Sequence, residues 1–373
     1  MPLSELHCHT SDGSNIRFKD STLRPSDAID YALSHDYKAL AITDHESLSA
    51  HIKALNHFQK IKQKAIDKGE AFDLSLILGN EIYLIDEHDS QNTDQFHHFI
   101  LLAKDAVGHK QLRLLSSRAW GRSYCFKGID RPVTWYRDLE EIVGTNPGHL
   151  IASTACLGGQ LPKMTLAGDT QGVLDFSHWC QSIFGIDNFY IELQCGITPE
   201  QIEFNQRILR FCKHFKFPWI ITNDVHYLSI DKRTLHENFL NSEDGADREV
   251  GDFYENTYFK NEDAIYSRMD YLDPQDVTAA FFNMDRIVEM CKDADYGLFR
   301  DTIVPDRDLP ALGLQFSIPY DPSEYPFLDH FYHSPHQQDL WLMQQIEQGL
   351  IRTKTVITHE VLERLDYELQ QNW

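Results

Sequence analysis

The chain has 373 residues, enough for one large core or two smaller ones, and 42% apolar with 24% charged residues describes a folded rather than a disordered protein. Its formal net charge of −23 repels a polyanion unless metals or a partner offset it, which argues against an autonomous nonspecific DNA binder but not against an enzyme that meets a nucleic acid end at a cationic metal cluster. Seven scattered cysteines without a CxxC, a start (MPLSELHCHT) without a basic and then apolar leader, and the lack of any long apolar run argue against a disulfide framework, a closed zinc knuckle, a secretory signal and a membrane span. The expectation is a reduced, cytoplasmic protein that engages no membrane.

Taken in chain order, "LSELH" (3–7) reads as a first strand. Pro25 with Asp27 opens a helix that carries Ala28, Ile29, Ala32 and Leu33 on one face. "KALAIT" (38–43) is a buried strand, and Leu48, Ile52, Leu55, Phe58 and Ile61 then recur at helical spacing. "LSLIL" (74–78) continues into "IYLI" (82–85), "HFILLA" (98–103) precedes the amphipathic "HKQLRLLSSRAW" (109–120), and "HLIAST" (149–154) and "FYIEL" (189–193) follow. Thr198, Pro199, Glu200 and Gln201 form a capping sequence for a helix to about Cys212, ahead of "WIIT" (219–222). Seven apolar runs alternating with helices imply parallel βαβ units buried on both faces. A closed (β/α) barrel fits, a doubly wound open sheet stays an alternative, and either places function at the C-terminal strand ends. After about residue 230 come the acidic loop "NSEDGADREVGD" (241–252), a helix from Pro274 through Cys291, an irregular connector (301–336), and two helices carrying Leu340, Met343, Ile346 and Leu350, then Val361, Leu362, Leu365 and Leu369. The expected partition is a barrel over 1–235 and a mainly helical extension over 236–373.

Residues i and i+2 of a strand point the same way, so His7 and His9 share a face after the first strand, as do Asp224 and His226 after the seventh. His45 follows the second run, Glu81 the third, His97 or His98 heads the fourth, and Cys156 follows the fifth. Each junction presents a residue type that binds zinc, manganese or iron. Each also has a plainer reading. A histidine beside an aspartate is often a hydrogen-bonded pair, Cys156 can be a small core hydrophobe, and Glu81 can cap a helix. Asp44 reads as a turn acceptor of backbone N–H groups. Cys8, between two ligand candidates, points into the core. Glu192 stays outside the ligand set, behind the ligands or paired with a basic residue.

With these residues in register, the chain resembles the PHP (polymerase and histidinol phosphatase) family, and more narrowly the N-terminal PHP domain of bacterial DNA polymerase III alpha subunits. The likeness rests on "LHCHT", "SNIRFKD", "LAITDHESLS", "LGNEIYLID", "HFILLAKDAVGHKQL", "STACLGGQLPK", "YIELQ" and "ITNDVHYL", in order over about 3–228, and continues more weakly from "YFKNEDAIYSRM" to "HEVLERLDYELQ". The resemblance implies a distorted (β/α)7 TIM-like barrel with a helical C-terminal extension and a centre of three divalent ions (zinc, manganese or iron). Carried over motif by motif, the implied ligands are His7, His9, Asp20, His45, Glu81, His98, Cys156, Asp224 and His226. Asp20 is preferred to Asp12 because "KDSTLRPSDAIDYA" matches the polymerase frame, and His98 to His97 by its place before "xxLLA".

No polymerase palm follows the matched segment, so the expectation is a stand-alone or split version of the polymerase's N-terminal part, bacterial or phage-encoded, that does not polymerise by itself. The resemblance implies a metal-dependent phosphoesterase of DNA replication, a 3′→5′ exonuclease of the proofreading type acting on DNA 3′ ends. Two alternatives stand beside it: a structural PHP subunit bound to a separately encoded polymerase part, and a small-molecule phosphatase.

Overall fold

Residues 3–87, 96–126, 129–242, 252–299 and 318–371 are described by a computed structural model of the chain. Most of the acidic loop and the first part of the connector, residues 300–317, lie outside the described residues. The strands in chain order are β1 (Ser4–Glu5), β2 (Ala39–Ile42), β3 (Ser75–Ile85), β4 (His97–Ala103), β5 (Tyr124–Phe126), β6 (Ile129–Arg131), β7 (Thr134–Trp135), β8 (Leu150–Ser153), β9 (Phe189–Gln194) and β10 (Trp219–Thr222). Seven of them form one curved sheet in the order β1-β2-β3-β4-β8-β9-β10, with β7 added to β3 and β5–β6 pairing separately. Just past β1 and β10, Cys8 and Val225 form a parallel bridge. There the His9 amide donates to Val225 O at 2.8 Å and the Val225 amide to His7 O at 2.9 Å, so the first strand meets the last and the sheet closes into a distorted barrel. These seven are the seven apolar runs of the sequence, and β2, β8 and β9 are buried throughout, as strands covered on both faces must be.

One expectation fails. β4 runs antiparallel to both β3 and β8, whereas the other neighbours along the barrel are parallel. A parallel return needs a crossover of about a dozen or more residues, usually a helix, and the eleven residues of 86–96 fall short of that. β4 therefore begins at the end of the barrel where its neighbours finish.

The helices follow local chemistry. α1 (Pro25–Ser34) starts on proline with Asp27 in its first turn and buries Ala28, Ile29 and Ala32. α2 (His51–Lys68) buries Leu55 and Phe58. α3 (Ala106–Gly121) is capped by Asp105, which accepts from the Val107 and Gly108 amides at 2.9 Å. α4 (Tyr136–Leu139), α5 (Gln160–Ala167) and α6 (Thr170–Phe184) precede α7 (Pro199–Phe215), whose Thr198 cap accepts from the Gln201 amide at 3.3 Å. After α8 (Arg233–Leu240) and α9 (Glu262–Arg268), α10 (Pro274–Cys291) packs on β10, β1 and β3. The first compact unit runs through Leu298, so residues 236–298 pack within it.

The second unit spans Phe299–Trp373. Its described helices are α11 (Pro326–Tyr332), α12 (Gln337–Thr353) and α13 (His359–Gln371). They share a core of Tyr325, Leu328, Phe331, Tyr332, Met343, Leu362 and Leu369, three of which are on the apolar faces read from the sequence. Among the described residues, no helix is long and apolar enough to cross a membrane.

Candidate metal centre

The strand ends converge. His7 Nε2 lies 3.0 Å from Glu81 Oε2 and 3.2 Å from Asp224 Oδ1, and His9 Nε2 lies 2.9 and 3.1 Å from the same two oxygens. The two ring nitrogens are themselves 3.0 Å apart. Beside this set, Asp20 Oδ1 is 3.4 Å from His226 Nε2 and Asp20 Oδ2 is 3.7 Å from His45 Nε2. On the other flank Glu81 Oε1 meets His98 Nδ1 at 2.5 Å, Glu81 Oε2 lies 3.4 Å from His45 Nδ1, and Cys156 Sγ lies 3.5 Å from His98 Nδ1. Three groups result that can each hold an ion: His7, His9, Glu81 and Asp224; His9, Asp20, His45 and His226; and His45, Glu81 and His98. Cys156 adjoins the third group without belonging to it.

All nine side chains named from the sequence are thus placed together. Asp20 enters the cluster, while Asp12 accepts from the Lys53 ammonium at 2.7 Å near the surface. His98 enters it from the head of β4, a position that the antiparallel direction of that strand creates. His97, paired with Leu84 where His98 is paired with Tyr83, points away and joins no group. Cys8 is fully buried in the core.

Residues behind the ligands set their tautomers. His7 Nδ1–H donates to Glu192 Oε1 at 2.7 Å, which turns Nε2 toward the cluster. Glu192 is held in turn by Ser153 Oγ at 2.7 Å and Thr222 Oγ1 at 2.6 Å. Ser14 Oγ donates to Asp44 Oδ1 at 2.9 Å, so at 3.0 Å it is an acceptor for His9 Nδ1–H. Asp44 also accepts the Thr10 amide at 2.5 Å and the Ser14 amide at 3.2 Å, as a turn acceptor should. His226 Nδ1–H donates to Asp224 O at 2.7 Å. With Nδ1 occupied, His9 offers only Nε2, and its short approaches to Glu81 and Asp224 place it in the first group. Tyr254 donates to Asp20 Oδ1 at 3.2 Å. Sequence reasoning missed Tyr254 and Ser14; for Glu192, an acid in an otherwise apolar run was the available signal.

The electrostatics couple buried imidazoles to buried carboxylates. Burial opposes charge on His7 and His9, yet Asp224, Glu192 and Glu81 outweigh it, holding His7 well above the ordinary imidazole range and His9 at about 10. Burial also opposes ionisation of Asp20, Glu81 and Asp224, and the surrounding imidazoles overcome it, drawing all three well below the usual carboxylate range. His45 is pushed down by burial. Four buried atoms of the cluster, Asp20 Oδ2, His45 Nδ1, Glu81 Oε1 and Asp224 Oδ1, make no hydrogen bond. Buried polar atoms without a hydrogen bond are costly, Glu81 Oε1 and Asp224 Oδ1 face only imidazoles, and a divalent cation would be satisfied there by oxygen and imidazole donors. The backbone adds to this. Among the described residues seven non-glycine residues have positive φ; four lie at helix C-termini, where that conformation is common, and three, Glu46, Ala155 and Asp224, adjoin or belong to the cluster.

The PHP domain family matches residues 5–196, slightly more than half of the chain. The chain belongs to the PHP family. This PHP chain is 38% identical to "Probable DNA polymerase YorL" of Bacillus subtilis (strain 168) and, equally, to a "DNA-directed DNA polymerase" of Bacillus phage SPbeta, over 98% of its own length and 30% of theirs. It is 28% identical to the DNA polymerase III subunit alpha of Treponema pallidum, over 61% of this chain and 18% of that one. It therefore spans about a third of the first two relatives.

Proposed function

We propose that the chain is a metal-dependent phosphodiesterase, a 3′→5′ exonuclease of the proofreading type acting on DNA ends in replication, with His7, His9, Asp20, His45, Glu81, His98, Cys156, Asp224 and His226 as its metal ligands. The observation that carries this reading is the convergence of the nine side chains, eight of them in three groups that can each hold an ion and Cys156 at the edge of the third. Glu81 directs one oxygen at His7 and His9 and the other at His98, and so joins two groups. Glu192, Ser14 and the Asp224 carbonyl fix three imidazoles with Nε2 inward. Divalent ions bound there, zinc, manganese or iron, would activate water and neutralise charge building on a phosphoryl group. The polymerase relatives support a nucleic acid substrate.

The test is release of label from a 3′-labelled single-stranded DNA by the full chain with added manganese or zinc. Release that His9→Ala and Asp224→Asn each reduce at least a hundredfold is expected. No release by the wild type, or equal release by the variants, would sink the reading. Comparing p-nitrophenyl phosphate with the p-nitrophenyl ester of thymidine monophosphate separates a small-molecule phosphatase from a diesterase. The likeness to polymerases over 98% of the chain favours a second reading, a PHP subunit that serves a polymerase part. A stable complex with such a part, together with inertness toward every phosphoester, would select it.

A further inference from the structure

The "SNIRFKD" segment contributes Asp20 to the cluster, which leaves its Arg17 and Phe18 without a role. Both stand where the cluster opens. Of the nine side chains His98 is the most exposed, at 22%, and the others are at 7% or less, so access is from the His98 side. Around that edge the chain builds a collar of rings and guanidinium groups. Phe96 stacks on His98 with ring centroids 6.1 Å apart and planes 11° apart. Tyr83 lies 5.0 Å from His98 and 5.6 Å from His45, and Phe18 lies 6.4 Å from His45. The Arg17 guanidinium lies 4.8 Å over Tyr83 and 5.3 Å over Phe18, and Arg131 lies 5.9 Å over Phe18 and 5.6 Å over Phe96.

These cations are placed for a ligand. Arg17 donates to neutral acceptors, Tyr83 Oη at 2.9 Å and the Asp130 carbonyl at 3.3 Å, and the buried Nε of Arg131 has no hydrogen-bond partner. Among the described residues neither forms a salt bridge, although the buried Glu46 lies within electrostatic reach of Arg17, in a chain whose formal charge is −23. A guanidinium takes a phosphate bidentately, and aromatic faces take bases without regard to sequence.

Resting on the phosphodiesterase reading, we propose that Arg17, Phe18, Phe96 and Arg131 form the subsite for the terminal nucleotides of a single-stranded nucleic acid. The base stacks on the phenyl rings, and the arginines hold the phosphates that lead into the cluster. Tyr83 positions Arg17 through its hydroxyl. The collar would thereby select a nucleotide diester over a small phosphate ester and a frayed end over a paired one.

The test is anisotropy binding of a fluorescein-labelled oligothymidylate with phosphorothioate linkages, which resist cleavage, to the full chain loaded with manganese. Arg131→Gln and Phe96→Leu are each expected to weaken binding about tenfold, Phe96→Trp to restore it, and Lys53→Gln, a surface charge elsewhere, to leave it unchanged. Wild-type affinity in Arg131→Gln and Phe96→Leu would overturn the proposal, as would equal weakening by Lys53→Gln, which would mean charge alone. A wild type that cleaves a small diester but does not bind the oligonucleotide overturns the collar and leaves the phosphodiesterase standing. Collar-dependent binding without any hydrolysis supports the collar and overturns the phosphodiesterase.

Discussion

Glu81 is the residue on which the centre turns, because its two oxygens face different partners: Oε2 the HxH pair and His45, Oε1 His98. Glu81→Gln removes the charge both directions share and should abolish binding of more than one ion, whereas Cys156→Ser, at the edge of the third group, should affect a single ion. Glu192 acts one bond further out. Loss of such an orienting carboxylate typically costs about 10–100-fold in metal affinity, so competition titration with a zinc chelator should show at least tenfold weaker binding by Glu192→Gln; unchanged affinity would contradict the tautomer argument. Protonation follows from the same contacts. Without metal, His9 holds its proton to about pH 10. That folded value lies above the unfolded one of about 6.5, so the stabilisation is complete below about pH 6.5 and is lost as pH rises through about 10. A metal must displace that proton, so affinity should rise from pH 7 toward 10, and calorimetry in buffers of different ionisation heat should register proton release. Affinity independent of pH would count against His9 as a ligand.

At the scale of elements, direction matters as much as position. The seven strands and most helix faces were legible because continuous apolar runs, helical periodicity and capping are local. The antiparallel course of β4 was not, since an apolar run reads the same in both directions. Tyr254 was illegible for another reason: its contact with Asp20 spans 234 positions with no local signal. Asp20 over Asp12 and His98 over His97 were legible through family register rather than through residue type. Two further contacts tie helices to the barrel. His51 Nε2–H donates to Gly79 O at 2.9 Å, and His109 Nε2–H donates to His51 Nδ1 at 3.0 Å, which joins α2, β3 and α3 through neutral imidazoles. Burial, then the neighbouring His109, pushes His51 down to about 3. Its folded value lies below the unfolded one of about 6.5, so this contribution is present above about pH 6.5 and is lost as pH falls toward 3. Urea midpoints should therefore drop between pH 7 and pH 5, and His51→Gln should shrink that difference; an unchanged difference would contradict the assignment. Gly108 lets α3 approach the next strand. A Cβ there would sit 2.1 Å from His149 O, a backbone atom that cannot swing aside. Gly108→Ala should lower stability by ~1–3 kcal/mol in urea unfolding, as overpacking does, despite alanine's better helix propensity.

Over the whole molecule, one principle accounts for the arrangement. A barrel brings all its strand ends to a common rim, so side chains from residue 7 to residue 226 meet although few are neighbours in sequence. At the rim, three of the chain's carboxylates, Asp20, Glu81 and Asp224, would hold cations that attract the polyanion its net charge repels. The measurement that tests this most directly is the metal content of the full chain, dialysed free of loose ions after loading with manganese or zinc, beside Glu81→Gln and Asp224→Asn. The account expects close to three ions in the wild type, one for each group, a loss of most of them in Glu81→Gln and a loss of at least one in Asp224→Asn, with the fold retained. A wild type that keeps less than one ion, or variants that keep as many as it does, would contradict the account.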